Sequence, residues 1–171
     1  QSRSSAASDV YKRQLLHGQS YPSKARVDAS RICITGRSSG GLTVLCALIQ
    51  YPDIFCAASS SYGISDLKSL SQHTHKYELH YTTTLMGGTY EDLPGVYKAR
   101  SALHHADKIR TPLLLLQGDQ DRVVAPDQSR RMARAIESHA GKVKYIEFPS
   151  EGHGFRPVSY THLTLPTIYS V

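Results

Sequence analysis

Three side chains in this 171-residue chain are of the types that together perform acyl transfer. Ser38 stands in Gly36-Arg37-Ser38-Ser39-Gly40-Gly41, directly after the apolar run Ile32-Cys33-Ile34. A serine hydroxyl is a weak nucleophile at neutral pH, so it needs an adjacent base, and the base needs a third group to orient it. His153 offers the base from Glu151-Gly152-His153-Gly154-Phe155, where flanking glycines leave the loop free to place an imidazole. Asp119 and Asp121, in Gly118-Asp119-Gln120-Asp121, are rival candidates for the acid. Residue type and spacing leave that choice open.

These groups need a scaffold that delivers all three to one edge. The apolar run, the glycine-flanked serine and the apolar stretch 41–51 read as strand, sharp turn and buried helix. Gly36-x-Ser38-x-Gly40 fits the nucleophile elbow of an α/β-hydrolase. The turn is expected to be so tight that a side chain at 36 or 40 would collide with its neighbours, which glycine avoids. Residues 31–36, 54–60, 113–117 and 143–148 read as strands of the short, buried kind. Residues 41–51 and a stretch from Asp127 to about His139 read as helices, with Asp127 as a cap, Met132 and Ile136 on one face, and Gly141 as a stop. Residues 65–110, rich in His, Tyr and Thr, read as helices and loops over the sheet. The alternation implies a parallel sheet with crossover helices. Loops at the carboxyl ends of such strands meet at one edge. Ser38, the two aspartates and His153 each follow a strand in the order Ser, Asp, His, which is the order of this fold.

Composition narrows the function classes. No apolar run reaches 18 residues, so no membrane span is indicated. The net charge is +6, but the basic residues are scattered. Arg130, Arg131 and Arg134 cluster on one expected helix and read as its solvated face rather than a nucleic-acid patch. Cys33, Cys46 and Cys56 lie in apolar runs without metal-ligand spacing, and are expected to be inert core thiols in a reducing compartment. His73-x-His75 could start a metal site, but no third ligand follows at a recognisable spacing. His73, His75 and His80 read as surface or rim groups, and His104-His105 as part of a loop or helix end. No metal or cofactor is expected. Gly36-x-Ser38 lacks the dinucleotide pattern Gly-x-Gly-x-x-Gly.

Residues 1–14 and 157–171 differ in character from the rest and resemble translated adapter sequence. Both are expected to be foreign or disordered. Residues 15–156 then read as a partial α/β-hydrolase domain, the C-terminal part of a mostly parallel sheet, truncated at both ends. A complete domain of this kind has roughly 200–250 residues.

Residues 15–156 resemble the C-terminal catalytic part of the prolyl oligopeptidase family of serine peptidases, nearest to its dipeptidyl-peptidase and acylaminoacyl-peptidase-like branches. The matching pieces are Val27-Asp28-x-x-Arg31-Ile32, Gly36-x-Ser38-x-Gly40-Gly41, Tyr62-Gly63-Ile64-Ser65-Asp66-Leu67, Thr74-His75-Lys76-Tyr77-Glu78, Arg100-Ser101, Gly118-Asp119-Gln120-Asp121-Arg122-Val123-Val124 and Gly152-His153-Gly154-Phe155. The resemblance implies Ser38 as nucleophile, His153 as base and Asp121 as acid, three residues after the glycine. Asp119 is then a turn residue that bonds nearby backbone amides. It implies the Ser39 backbone N–H as one oxyanion donor, and Tyr81, Leu85 and Val124 as the lining of the pocket for the residue before the cleaved bond. Tyr81 and Leu85, four apart, would share a helix face. The implied partner is a short peptide or acyl-peptide, and the implied longer protein is a cytoplasmic homo-oligomer with a β-propeller ahead of the hydrolase domain.

Two departures accompany the resemblance. Many members carry Tyr where this chain has Ser39, and the family's second oxyanion donor lies upstream of any residue matched here. The segment alone is therefore expected to hydrolyse peptides poorly. An esterase of the same fold is the alternative enzyme reading, and a non-catalytic binding module is a more distant one.

Overall fold

A computed structural model describes residues 28–73 and 82–156. Four parallel strands lie in the order β1 (Cys33–Arg37), β2 (Ala57–Ser61), β3 (Leu113–Gly118) and β4 (Val143–Phe148). Helix α1 (Ser39–Gln50) crosses from β1 to β2, and α4 (Asp127–Ser138) crosses from β3 to β4. Between β2 and β3 run α2 (Leu67–His73), α3 (Pro94–Arg100) and a 3-10 segment, Ala102–Lys108. The chain has the α/β-hydrolase fold, represented by part of its sheet. The expectations for residues 1–27, 74–81 and 157–171, both terminal segments among them, lie outside the described residues.

One sheet face carries the main core. Val44, Leu45, Ala47 and Leu48 of α1 pack with Ala58, Leu113 and Leu115 of the sheet and with Met132, Ala133 and Ile136 of α4. Fully burying one such Leu or Ile contributes about 1.5–3 kcal/mol, so the α1 and α4 seams hold the crossovers to the strands. Met132 and Ile136, expected on one face, are both 0% exposed. Strand alternation sends Leu114, Leu116, Lys144 and Ile146 to the opposite face, along a cleft of about 510 Å³. A second cluster sits beyond the strand ends, where Ile64, Leu67, Tyr97 and Val124 are buried together.

Several local expectations change. Asp127 is the first residue of α4 rather than its cap; Pro126 precedes it and makes no side-chain cap bond. Proline's fixed φ already suits a helix start. The left-handed position after α4 is taken by Ala140, at φ 59°, and not by Gly141. Gly141 is needed for space instead, since a Cβ there would lie 2.5 Å from Ile136 Cγ2.

The thiols are not all in the core. Along β1, residues 33, 35 and 37 are exposed while 34 and 36 are half-buried. This period of two places Cys33 on the face away from α1. Cys33 and Cys56 are both exposed and Cys46 is half-buried. An apolar run therefore did not imply burial on both faces.

The basic cluster of α4 is largely paired. Arg130 donates to both Glu147 oxygens, at 2.6 and 2.9 Å, and Tyr145 also donates its hydroxyl to Glu147. Those bonds, Arg130's first, hold the Glu147 carboxyl below its usual range. Arg131 pairs with the buried Asp66 at 2.9 Å and lies 3.9 Å from Asp127. Among the described residues, no helix is long and apolar enough to cross a membrane.

Candidate active site

The elbow is one residue long. β1 ends at Arg37 and α1 begins at Ser39, so Ser38 alone reverses the chain, at φ 51° and ψ −120°. Such backbone angles cost a non-glycine residue about 1–3 kcal/mol. Surrounding bonds hold them: Ser38 N–H donates to Ser61 O at 3.0 Å, and the Gly41 and Leu42 N–H groups donate to Ser38 O at 2.9 and 3.3 Å. The crowding falls on Gly36, where a Cβ would sit 2.2 Å from Gly40 O. At Gly40 a Cβ would meet nothing within 4 Å, so the expectation of a collision there is corrected. The second tight glycine is Gly41, whose Cβ would lie 2.6 Å from both Gly63 Cα and Ser60 Oγ. The reason is tertiary: α1 packs on the end of β2 at that point.

The acid and base loops are bonded to each other. Gly118, at the end of β3, lies against the loop after β4, and a Cβ there would be 2.3 Å from Glu151 O. Gln120 N–H donates to Glu151 O at 2.9 Å. Asp119 accepts the Ser150 N–H at 2.7 Å, a turn-residue role that bridges the two loops. Asp121 is 4% exposed, and its Oδ1 accepts the Val123 and Val124 N–H groups, each at 2.9 Å. Its Oδ2 faces His153 Nδ1 at 2.8 Å and accepts from Gln117 Nε2 at 3.0 Å. His153 Nε2 is 2.9 Å from Ser38 Oγ. Ser38, His153 and Asp121 thus form one continuous hydrogen-bonded chain, drawn from three strand ends.

Donors at the start of α1 complete the polar side. The first four N–H groups of a helix lack intrahelical acceptors and carry partial positive charge. The Ser39 N–H is the first of these, next to the Ser38 hydroxyl. Apolar surfaces set the imidazole plane. The Tyr62 ring meets His153 edge-on with centroids 4.7 Å apart, and also meets Phe155 at 5.2 Å. Tyr62 itself holds a positive φ of 41°.

Of the three residues expected to line a substrate pocket, the two described ones differ in burial. Val124 is 1% exposed, packed with Ile64, Leu67 and Tyr97. Leu85 is 50% exposed, and its neighbour Met86 packs against the Val124 cluster. Tyr81 lies outside the described residues, as do His75 and His80. His104 is exposed, and His105 Nε2 lies 3.1 Å from Ala99 O. Among the described residues, no group of three or more His, Cys, Asp or Glu side chains gathers as a metal site.

Gln117 is absent from the expected set, yet it is 0% exposed and joins the acid loop together. Its amide nitrogen reaches Asp121 Oδ2 and Val124 O, and its amide oxygen accepts from Ser129 Oγ at 2.8 Å. A single polar residue closing the run Leu113-Leu114-Leu115-Leu116 was the available signal, because a buried amide must find partners. Tyr62 stands in one of the stretches that carry the resemblance, but its role against the imidazole had no local signal, since its contacts come from residues some ninety positions later in the chain.

The prolyl oligopeptidase family model matches residues 11–169. Dipeptidyl peptidase family member 6 of Caenorhabditis elegans is 32% identical over 139 residues, covering 78% of this chain and 19% of that protein. Dipeptidyl aminopeptidase BIII of Pseudoxanthomonas mexicana is 33% identical over 129 residues, covering 73% of this chain and 19% of its own length. The solved structure of a Mycobacterium tuberculosis puromycin-hydrolyzing peptidase superposes with a TM-score of 0.82 at 40% identity, covering 88% of this chain and 23% of that one. The chain spans about a fifth of the length of these curated relatives.

Proposed function

The chain belongs to the prolyl oligopeptidase family, and from that premise we propose that it carries the catalytic triad of a serine peptidase acting on peptide or acyl-peptide bonds. The observation that carries this reading is the unbroken line Ser38 Oγ, His153 Nε2, His153 Nδ1, Asp121 Oδ2, with spacings of 2.9 and 2.8 Å. Ser38 attacks the scissile carbonyl as His153 removes its proton. The buried Asp121 accepts from Nδ1–H, which fixes the tautomer with a free Nε2 and stabilises the imidazolium. The oxyanion that forms is met by the Ser39 N–H, a donor class whose loss typically costs about 2.7–4 kcal/mol. His153 then protonates the leaving amine, and water releases the acyl group by the same path in reverse.

A fluorophosphonate probe tests this directly on the 171-residue chain. The expected result is one label, on Ser38, that is lost in Ser38→Ala. A folded chain that takes no label, or takes it elsewhere, would sink the proposal. In the longer protein, a panel of aminoacyl amides against simple esters separates peptidase from esterase. Preference for esters alone would select the second reading.

The proposed pocket includes Tyr81 and Leu85. At 50% exposed, Leu85 bears little on folding. Leu85→Ala is expected to leave stability within about 0.5 kcal/mol, as for other surface changes, while altering relative kcat/KM across amides that vary the residue before the cleaved bond. An unchanged profile with unchanged stability would remove Leu85 from the pocket.

A further inference from the structure

Cys33 opens β1 and Cys56 stands just before β2. The Cys56 N–H donates to Ile32 O at 2.9 Å, so the backbones are already tied side by side. The two sulfurs are 3.5 Å apart, and both residues are exposed. A disulfide needs an S–S separation of about 2 Å, so bridging must bring the two sulfurs closer by roughly 1.5 Å. Cys46 lies on α1, half-buried, without a sulfur contact of this kind. The pair also lies at the amino ends of the strands, away from Ser38 at the carboxyl end of β1.

We propose that Cys33 and Cys56 are an oxidation site that closes to an intramolecular disulfide when the chain meets a peroxide. One thiolate attacks a peroxide oxygen; the O–O bond breaks, a sulfenic acid forms, and hydroxide leaves. The second thiolate attacks the sulfenic sulfur; the S–O bond breaks, the S–S bond forms, and a second hydroxide leaves. The protons of the two thiols convert both hydroxides to water. Two sulfurs are oxidised by one electron each and one peroxide is reduced to two waters. Burial first, then the hydrogen bond to Cys56, push the Cys33 thiol up, so the first step draws on a small thiolate fraction and it is the closeness of the second sulfur that favours bridging over further oxidation. The bridge would join the ends of the β1–α1–β2 unit, constraining the unfolded chain while leaving the elbow in place.

The test treats the 171-residue chain with hydrogen peroxide, then digests it with trypsin and an Asp-specific protease, which parts Cys46 from Cys56 at Asp53. The expected product is a Cys33–Cys56 crosslinked peptide lacking two hydrogens, with free thiols falling from three to one. A higher unfolding midpoint should accompany it, and a dithiol should reverse both changes. Cys46→Ser should form the same crosslink, and Cys56→Ser should instead leave a sulfenic acid on Cys33 that dimedone traps. A linkage through Cys46, linkage between chains, or separate over-oxidation of Cys33 and Cys56 would overturn the proposal. The mapping on the unaltered chain decides this even where a variant folds poorly.

Discussion

Asp121→Asn is expected to slow labelling of Ser38 by roughly 10⁴-fold, the loss seen when a triad acid becomes an amide. Asparagine keeps an oxygen for the Val123 and Val124 N–H groups, which Asp121 Oδ1 now accepts at 2.9 Å each. The loop should therefore stay in place. The Oδ2 position becomes an NH₂ facing two donors, His153 Nδ1 at 2.8 Å and Gln117 Nε2 at 3.0 Å. His153 can relieve its half of the conflict by moving its proton to Nε2. That nitrogen then donates to Ser38 Oγ and cannot take its proton, so the base is lost while the fold survives. Asp119→Asn is the control, because its carboxylate accepts only the Ser150 N–H among the bonds described and an amide oxygen can do the same. Labelling rates with a fluorophosphonate, alongside thermal midpoints, separate the two. Loss in Asp119→Asn with sparing of Asp121→Asn would reverse the assignment of the acid.

Gly36→Ala is expected to destabilise the chain by about 3 kcal/mol or more, the upper range for forcing atoms into a packed site. The new methyl would lie 2.2 Å from Gly40 O and 2.5 Å from Gly40 C, both backbone atoms that no side-chain rotation can move. For a chain of this size that corresponds to a midpoint lowered by roughly 6–12 °C. Labelling should fall as well, because relief requires α1 to shift and Ser38 is the joint between α1 and β1. Gly40→Ala should behave oppositely. Its methyl meets nothing within 4 Å, and alanine is favoured over glycine inside a helix by about 1 kcal/mol. Equal losses at 36 and 40 in thermal denaturation would show that backbone freedom, not space, is what the elbow requires.

The contrast between those glycines marks where sequence reading stops. Gly36-x-Ser38-x-Gly40 announces an elbow because the reversal is local, confined to the residues of the motif. Gly36 is needed for space because of Gly40 within the motif itself, whereas the need at Gly41 depends on β2 and on Gly63, which lies more than twenty positions further along. The strands were legible for a similar reason. Short β-branched and leucine-rich runs bounded by glycine and proline are too short for an ordinary helix, and the strands expected at 113–117 and 143–148 are Leu113–Gly118 and Val143–Phe148. The faces of residues 113–116 and of the run 32–34 were not legible, because a run apolar at every position carries no alternation. That ambiguity is why Cys33 read as a core residue although β1 turns it outward.

Chemistry divides along the same line. Residue types and chain order alone nominated a hydroxyl, an imidazole and two rival carboxylates, since each group sits beside the glycine that frees its loop. Residue type alone leaves Asp119 and Asp121 level, the resemblance favours Asp121, and in the structure the two carboxylates face different loops. Asp121 reaches inward to His153, while Asp119 reaches sideways to Ser150. The roles of Gln117 and Tyr62, and the meeting of Cys33 with Cys56, arise only when β1, β2, β3 and β4 are laid side by side. A linear chain encodes local turns and periodicities through sterics and burial. Contacts between distant residues depend on how strands pair and how helices settle on them, and it is those contacts that orient the imidazole, brace its acid and bring two thiols together.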